Sequence, residues 1–455
     1  MLSPMQEPTP QRPRTVVVGV HLPGVTDGEQ ASSLDEIARL AKTLGLDVVT
    51  RVTQKRTSLA AAAVVGEGKL HELASWTGGS GVVPSGAQTP RKKNVEPAER
   101  VERPTEAPDG GPLATVIVVD HDLTPSQARN MERATGAEVL DRTAVILEIF
   151  HRHARTREAR AQVEMARLVY MAPRLRESGR ANERQRGGAG VKAKGAGESS
   201  LELDRRKIRD RMAELREELR AIEHESRTRR RRRGTELSAV ALVGYTNAGK
   251  SSLMRGLTGS DVHVADKLFA TLDTTVRALH PEARPGILVS DTVGFIKKLP
   301  HGLVASFRST LEQARDADLL VQVVDASDPA FRAQMEVTGS VLEELGAGDA
   351  PRLVALNKID RLSPPEREAL AAEHPDAILL SARDPADVAA LRARIVEHFE
   401  RDMVEDELVV PYAQARLVSE VHASCRVLSE SHDELGTHVR VRAPSEVLAR
   451  LRTAL

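Results

Sequence analysis

At 455 residues and 40% apolar content, the chain has material for roughly three domains with buried cores. Lys+Arg and Asp+Glu each number 65, charged residues make up 29%, and no run of about 18 apolar residues occurs. A disordered or membrane-inserted chain is thereby disfavoured, and a soluble cytoplasmic protein is expected. The single cysteine, Cys425, excludes an internal disulfide, and the scattered histidines lack the ligand spacing of a zinc site.

Residues 1–14 are Pro-rich, lack the apolar stretch of a signal peptide and predict a disordered start. Thr15–Val20 is a β-branched run, Ser33–Leu44 has apolar residues at helical spacing, and Asp47–Val52 is strand-like again. That order predicts a βαβ unit inside an N-terminal α/β domain over 15–142. Gly78–Pro112, rich in Gly, Pro, Ser and charge without a period, predicts a disordered insertion. Ala114–Val119 predicts a further strand, and Thr124-Pro125 supplies an N-cap and a first-turn proline for a helix through Thr135.

From Thr143 to about Leu175, and from Ser200 to about His224, the pattern is helical. Ile208, Met212, Leu215, Leu219 and Ile222 recur at spacings of 4, 3, 4 and 3, the seam of a helix that packs lengthwise on a partner. The Gly-rich basic stretch Ser178–Ser199 would break either helix, so 143–236 predicts an antiparallel hairpin with a positive tip. Over His151–Arg233, 25 Lys/Arg face 13 Asp/Glu, giving +12 there and −12 elsewhere, and Arg229–Arg233 are five consecutive arginines. Charge acts within a Debye length of ~8–10 Å, so this segment is a candidate polyanion binder.

Residues 237–400 carry the chemistry. Gly244-Tyr245-Thr246-Asn247-Ala248-Gly249-Lys250-Ser251 follows the apolar strand Ala239–Val243 and opens a helix near Ser252-Leu253, the context of a phosphate-binding loop. Its backbone N–H groups would point at the β-phosphate, Lys250 would bridge the β- and γ-phosphates, and the Ser251 hydroxyl would bind Mg²⁺. The strand Ile287–Ser290 runs into Asp291-Thr292-Val293-Gly294, which places a carboxylate where Mg²⁺ is held and a Gly294 N–H near the γ-phosphate. Leu353–Leu356 leads into Asn357-Lys358-Ile359-Asp360. A carboxylate there accepts from guanine N1–H and the 2-amino group, whereas adenine would leave it unpaired, at a cost of about 10²-fold in affinity. Asn357 would brace the loop, the Lys358 stem would cover the ring, and the backbone of Ser381-Ala382-Arg383 would reach the guanine oxygen. Four motifs in order, each at a strand end, point to a guanine nucleotide.

Between the phosphate loop and Asp291 lies Phe269-Ala270-Thr271-Leu272-Asp273-Thr274-Thr275, where one threonine should serve Mg²⁺ and the γ-phosphate. Thr271 is the expected ligand, with Thr274 or Thr275 as the alternative. The expected catalytic groups are Lys250, Thr271 and Gly294, and the expected metal ligands Ser251 and Thr271. After Gly294 stands Phe295, which has no donor or acceptor to hold water, so intrinsic hydrolysis should be slow unless a partner positions the water. Residues 401–455 predict a small α+β domain: a strand at Glu407–Val410, a helix over Tyr412–Ser429, a strand at Thr437–Arg442 and a helix over Ser445–Leu455.

The runs Gly-Tyr-Thr-Asn-Ala-Gly-Lys-Ser, Phe-Ala-Thr-Leu-Asp, Asp-Thr-Val-Gly-Phe and Asn-Lys-Ile-Asp together resemble the HflX family of bacterial ribosome-associated GTPases. Ser33–Glu36, Arg51–Arg56, Gly66–Leu70, Asp122–Pro125, Asp141–Thr143 and Gln162–Glu164 are similar to that family's amino-terminal region. Two places depart from its pattern: Gly195-Ala196-Gly197-Glu198 where Gly-Pro-Gly-Glu is usual, and Asp273-Thr274-Thr275 where many members have Asp-Pro-Thr. The resemblance implies an α/β P-loop GTPase with a parallel-rich sheet. It also implies binding of the large ribosomal subunit through ribosomal RNA, dissociation of stalled or idle ribosomes and ribosome-stimulated hydrolysis of GTP to GDP with Mg²⁺. A ribosome-associated protein, monomeric when free and not membrane-inserted, is expected. The alternative is a GTP-switched RNA-binding assembly or hibernation factor that splits no ribosome.

Overall fold

In a computed structural model, residues 12–83, 104–186, 200–232, 237–259, 268–269, 275–297 and 313–455 are described. The chain divides into two units, 1–152 with 160–216 and 153–159 with 217–455.

In the first unit, β1 (Arg14–His21), β2 (Asp47–Lys55), β3 (Val116–Val119) and β4 (Glu138–Asp141) form a wholly parallel sheet in the order β2-β1-β3-β4. Helix α1 (Asp27–Thr43) joins β1 to β2, the expected βαβ connection. It starts ahead of Ser33 because Thr26 and Glu29 form a capping box, the Thr26 hydroxyl accepting from Glu29 N and the Glu29 carboxylate from Thr26 N. Helix α2 (Glu67–Thr77) has no side-chain cap, its N-cap being Gly66, and so gave no start signal in the sequence. Helix α3 (Pro125–Thr135) begins at the predicted Thr124 cap. Val16, Val18 and Ile117 pack against Leu70 and Leu73 of α2 and Met131 of α3.

Both ends of the expected disordered insertion over 78–112 are ordered. Gly81 N donates to Ala134 O at 2.8 Å, Ala107 is buried and Arg14 pairs with Asp109, so 78–83 and 104–112 are built into the unit. Residues 84–103 lie outside the described residues. Asp141-Arg142-Thr143 ends β4 and opens α4 (Arg142–His153). Asp141 Oδ1 accepts from Ala144 N at 2.8 Å, Arg142 reaches Asp120 at 2.6 Å and also Glu36, and Thr143 donates to Asp122 at 2.5 Å.

The helical pattern that begins at Thr143 is two helices. It breaks at 154–156, where Thr156 Oγ1 accepts from Ala159 N at 3.1 Å and caps α5 (Arg157–Arg186). Helix α5 continues beyond the expected break at Ser178, and α6 (Ser200–Arg232) continues beyond His224, so Arg229–Arg232 belong to a helix. The tip, 187–199, and Arg233 lie outside the described residues. Along α6, Leu215 is buried while Ile208, Met212, Leu219 and Ile222 are half-buried, as the seam predicts. Glu164 takes Arg211 bidentately at 2.7 and 2.9 Å, and Arg157 takes Glu218 at 2.5 Å, so the helices pair in opposite senses.

In the second unit, β5 (Ser238–Gly244), β6 (Thr275–Ala278), β7 (Ile287–Asp291), β8 (Leu319–Asp325), β9 (Arg352–Asn357) and β10 (Ile378–Leu379) form a sheet in the order β10-β9-β8-β5-β7-β6. All its pairs are parallel except β6–β7. Its helices are α7 (Lys250–Thr258), α8 (Phe331–Glu344), α9 (Pro364–Glu373) and α10 (Pro385–Glu400). Val240, Leu242, Val289 and Val321 meet Leu253 and Met254 of α7 and Leu391 and Ile395 of α10.

Residues 404–455 add β11 (Val404–Val410), α11 (Ala415–Ser424), β12 (Arg426–His432), β13 (Thr437–Ala443) and α12 (Ser445–Ala454), with an antiparallel sheet in the order β11-β13-β12. The expected helix over Tyr412–Ser429 therefore ends at Ser424, and the rest is strand. Buried Cys425 and half-buried Val427 pack into the small core with Val439, Val441 and Leu448, which favours the extended form there.

Candidate nucleotide-binding site

The parallel strands β5, β7, β8, β9 and β10 bring the predicted motifs to their carboxyl ends, where open α/β sheets take ligands. Strand β5 delivers Gly244 through Gly249, and α7 begins at Lys250, two residues earlier than expected. Gly249 has a φ of +104°, and a Cβ there would stand 2.1 Å from Asn357 Nδ2, so only glycine fits. Asn357 sits so close because it ties three loops together. Its Nδ2 donates to Ala248 O at 2.8 Å and its Oδ1 accepts from Ala382 N at 2.9 Å.

Lys250 is 6% exposed, and its ammonium donates to Gly244 O at 3.1 Å and Tyr245 O at 2.9 Å. Burial pushes its pKa down to about 8, with Asp291 pulling the other way. Ser251 Oγ donates to Asp291 Oδ2 at 2.7 Å, and Asp291 is fully buried. A hydroxyl beside a buried carboxylate is a pair of hard oxygen donors, a set that fits magnesium. A Cβ on Gly294 would lie 2.8 Å from Thr246 Cα and 3.0 Å from Lys250 Nζ, so the bare backbone alone allows the loop after β7 to close on the phosphate loop. Thr292 is buried with Oγ1 donating to Leu242 O at 2.7 Å, and Val293 is buried, so these two offer backbone rather than side chain. Phe295 is 2% exposed. Its N donates to Gly244 O at 3.1 Å and its O accepts from Thr246 N at 2.8 Å, while Lys297 N donates to the Tyr245 hydroxyl at 2.6 Å.

On the base side, Asn247 and Lys358 both hold positive φ, +61° and +64°. Lys358 Nζ donates to Asn247 O at 2.7 Å and Asp325 Oδ2 at 2.6 Å, which stretches its stem across the loop mouth. Ile359 opens a short 3-10 turn through Arg361. Asp360 Oδ1 accepts from Ser381 Oγ at 2.8 Å, Arg383 Nη1 stands 3.8 Å from Asp360 Oδ2, and Asp387 accepts from Ser381 N at 2.7 Å. Asp325 and Asp387 escaped the sequence reading. Asp325 carries the same signal as Asp291, an apolar strand ending in aspartate, over Leu319–Asp325. Of the segment before β6, Phe269 is buried, whereas Ala270, Thr271, Leu272, Asp273 and Thr274 lie outside the described residues. Thr275 pairs with Asp291 across β6 and β7. Among the described residues no group of three or more His, Cys, Asp or Glu side chains could hold a metal, and no helix is long and apolar enough to cross a membrane.

Three family models match the chain: "GTP-binding GTPase N-terminal" over 31–83 and 99–151, "GTP-binding GTPase Middle Region" over 153–233, and "50S ribosome-binding GTPase" over 239–358. Among curated relatives, the GTPase HflX of Gluconacetobacter diazotrophicus is 57% identical over 453 residues, 99% of each chain. That of Caldanaerobacter subterraneus subsp. tengcongensis is 36% identical over 98% of this chain and 95% of its own. The protein of the same name from Spirochaeta thermophila is 45% identical over 72% of this chain and 80% of its own.

Proposed function

We propose that this chain, which belongs to the HflX family of GTPases, is a magnesium-dependent factor that binds the large ribosomal subunit and dissociates stalled or idle ribosomes. The observation that carries the reading is the pairing, in one chain, of a guanine-reading site with a hairpin segment of net charge +12. Ribosomal RNA is a polyanion, and a basic helical element gains affinity from it by counterion release.

In the proposed chemistry, Lys250 leaves the carbonyls of Gly244 and Tyr245 for the β- and γ-phosphates. Its charge, unfavourable in the buried loop, becomes favourable once the anion arrives. Ser251, Asp291 and Thr271 would hold magnesium, which supplies neutralisation of the charge developing on the phosphates. The Gly294 N–H approaches the γ-phosphate along the path its missing side chain leaves open. Asp360, oriented by Ser381, receives the guanine N1–H and amino group, while the Lys358 stem, held by Asp325, covers the ring. Phe295 is packed beneath the loop and cannot orient water, so the bound ribosome supplies that ordering.

Sucrose-gradient sedimentation of 70S particles with the protein and GTP tests the reading. A shift to separate subunits is expected. An unchanged 70S peak at saturating protein, with phosphate release still stimulated, would remove the splitting activity and leave a GTP-switched RNA-binding factor.

A further inference from the structure

Strands β6 and β7 form a hairpin whose open end lies at the nucleotide site and whose turn, 279–286, lies at the far end. At the open end Thr275 pairs with Asp291, the carboxylate that receives Ser251; at the turn end Ala278 pairs with Leu288, and Leu279 N donates to Ile287 O at 2.8 Å. The turn is held from two sides. Arg392 of α10 donates to Pro281 O at 2.7 Å, and Arg284 of the turn itself donates to His422 O in α11. The end of α10 is fastened to the same small domain, because Glu400 pairs with Arg426 and its carbonyl accepts from Arg442 at 3.2 Å.

These contacts surround a cavity of about 480 Å³ lined by Arg284, Arg392, Glu400, His422, Cys425 and Arg426. The cavity is a half-open cleft, so at this joint guanidinium hydrogen bonds stand where packed side chains would otherwise make the contact. Among the described residues neither Arg284 nor Arg392 is within ion-pair distance of a carboxylate; Arg284 spends its charge-assisted donors on the His422 carbonyl across the joint, and Arg392 on the Pro281 carbonyl that steadies the turn on its own side.

We infer that Arg284 is a positioning residue for GTP hydrolysis: through it the C-terminal domain sets the placement of the β6–β7 hairpin and hence of Asp291. A hairpin paired over its whole length moves as one piece, so a shift at the turn reaches the nucleotide end, and nucleotide-driven movement at Asp291 reaches α11 by the same route. The inference concerns hydrolysis itself and does not depend on what the ribosome does.

The test uses the full-length chain. Arg284→Ala should lower kcat roughly fivefold or more while KM stays within about twofold, and Arg284→Lys, which keeps a donor, should recover most of the loss. Hydrogen exchange supplies a readout that simple destabilisation would not move. In the wild type, amides over 415–432 should exchange differently with GDP and with a non-hydrolysable GTP analogue, and that difference should vanish in Arg284→Ala. Should Arg284→Ala fold poorly, Arg284→Gln, whose shorter side chain falls short of the His422 carbonyl, should show the same loss of kcat and of nucleotide-dependent exchange. An unchanged kcat, a rise confined to KM, or an undiminished exchange difference in the folded variant would overturn the inference.

Discussion

Both units hold a largely parallel sheet with charged side chains at the carboxyl ends of its strands, yet the charges nearest the phosphate and base positions of the second find different partners from those of the first. In the first, Asp120 is buried against Arg142 at 2.6 Å and Ser33 at 2.5 Å, and Asp141 takes Tyr170 at 2.8 Å and Arg174 at 2.6 Å. In the second, Asp325 is tied to Lys358 at 2.6 Å in the same way, but among the described residues Lys250 donates to two carbonyl oxygens and is ion-paired to no carboxylate, and Asp360 accepts from a serine with its nearest guanidinium at 3.8 Å. A buried charge met by an opposite charge from the same chain is framework. A charge given neutral partners keeps its field for a ligand.

The sharpest way to break this contrast is Lys250→Ala, which removes the unpaired cation. Hydrolysis should drop roughly 10³-fold with the melting temperature kept or raised, and a variant that still turns over GTP normally would place the phosphate contact elsewhere. Arg142→Ala should do the reverse. It strands Glu36 and Asp120 in the core and costs about 3–5 kcal/mol of stability, read by denaturant unfolding, while GTP affinity holds; an unaltered midpoint would show the cluster to be incidental. Next in size, Asp360→Asn should cut GTP affinity about 10²-fold and move preference toward xanthosine nucleotides, which competition binding measures directly.

Two smaller effects refine the same point. Since native Lys250 titrates at about 8, below its ordinary 10.5, the unfolded chain holds the extra proton between those values. Stability of the nucleotide-free protein therefore rises with pH across that window, and GTP binding there takes up a proton. Calorimetry at pH 9 in buffers of different ionisation heat detects the uptake; identical heats would mean Lys250 is already charged. Finally, Ser381→Ala should weaken GTP binding by roughly fivefold, the worth of one hydrogen bond orienting Asp360, with no change toward xanthosine.

Much of this was legible in the sequence because the site is written locally. Gly244–Ser251, Asp291–Gly294 and Asn357–Asp360 are each contiguous, and each follows an apolar run that declares its strand. The Thr124 cap and the α6 seam were legible for the same reason. What escaped depends on contacts between distant residues. Nothing near Asp325 announces that it will fix Lys358, and nothing near Gly66 marks the start of α2. Cys425–Ser429 has helical spacing, but the β13 neighbours Val439 and Val441 draw it into a strand. The break at 154–156 was missed because a single threonine cap interrupts an otherwise continuous apolar period.

The burial of Phe295 beneath the phosphate loop also limits how this protein could change over time. In a GTPase whose corresponding side chain faces solvent, one substitution to glutamine is a short route to a faster intrinsic clock. Here the same substitution would put an amide at a position 2% exposed, and each polar atom left unpaired there would cost about 1–3 kcal/mol. A mutant lineage would give up stability before it gained speed, so the short route is closed to this fold.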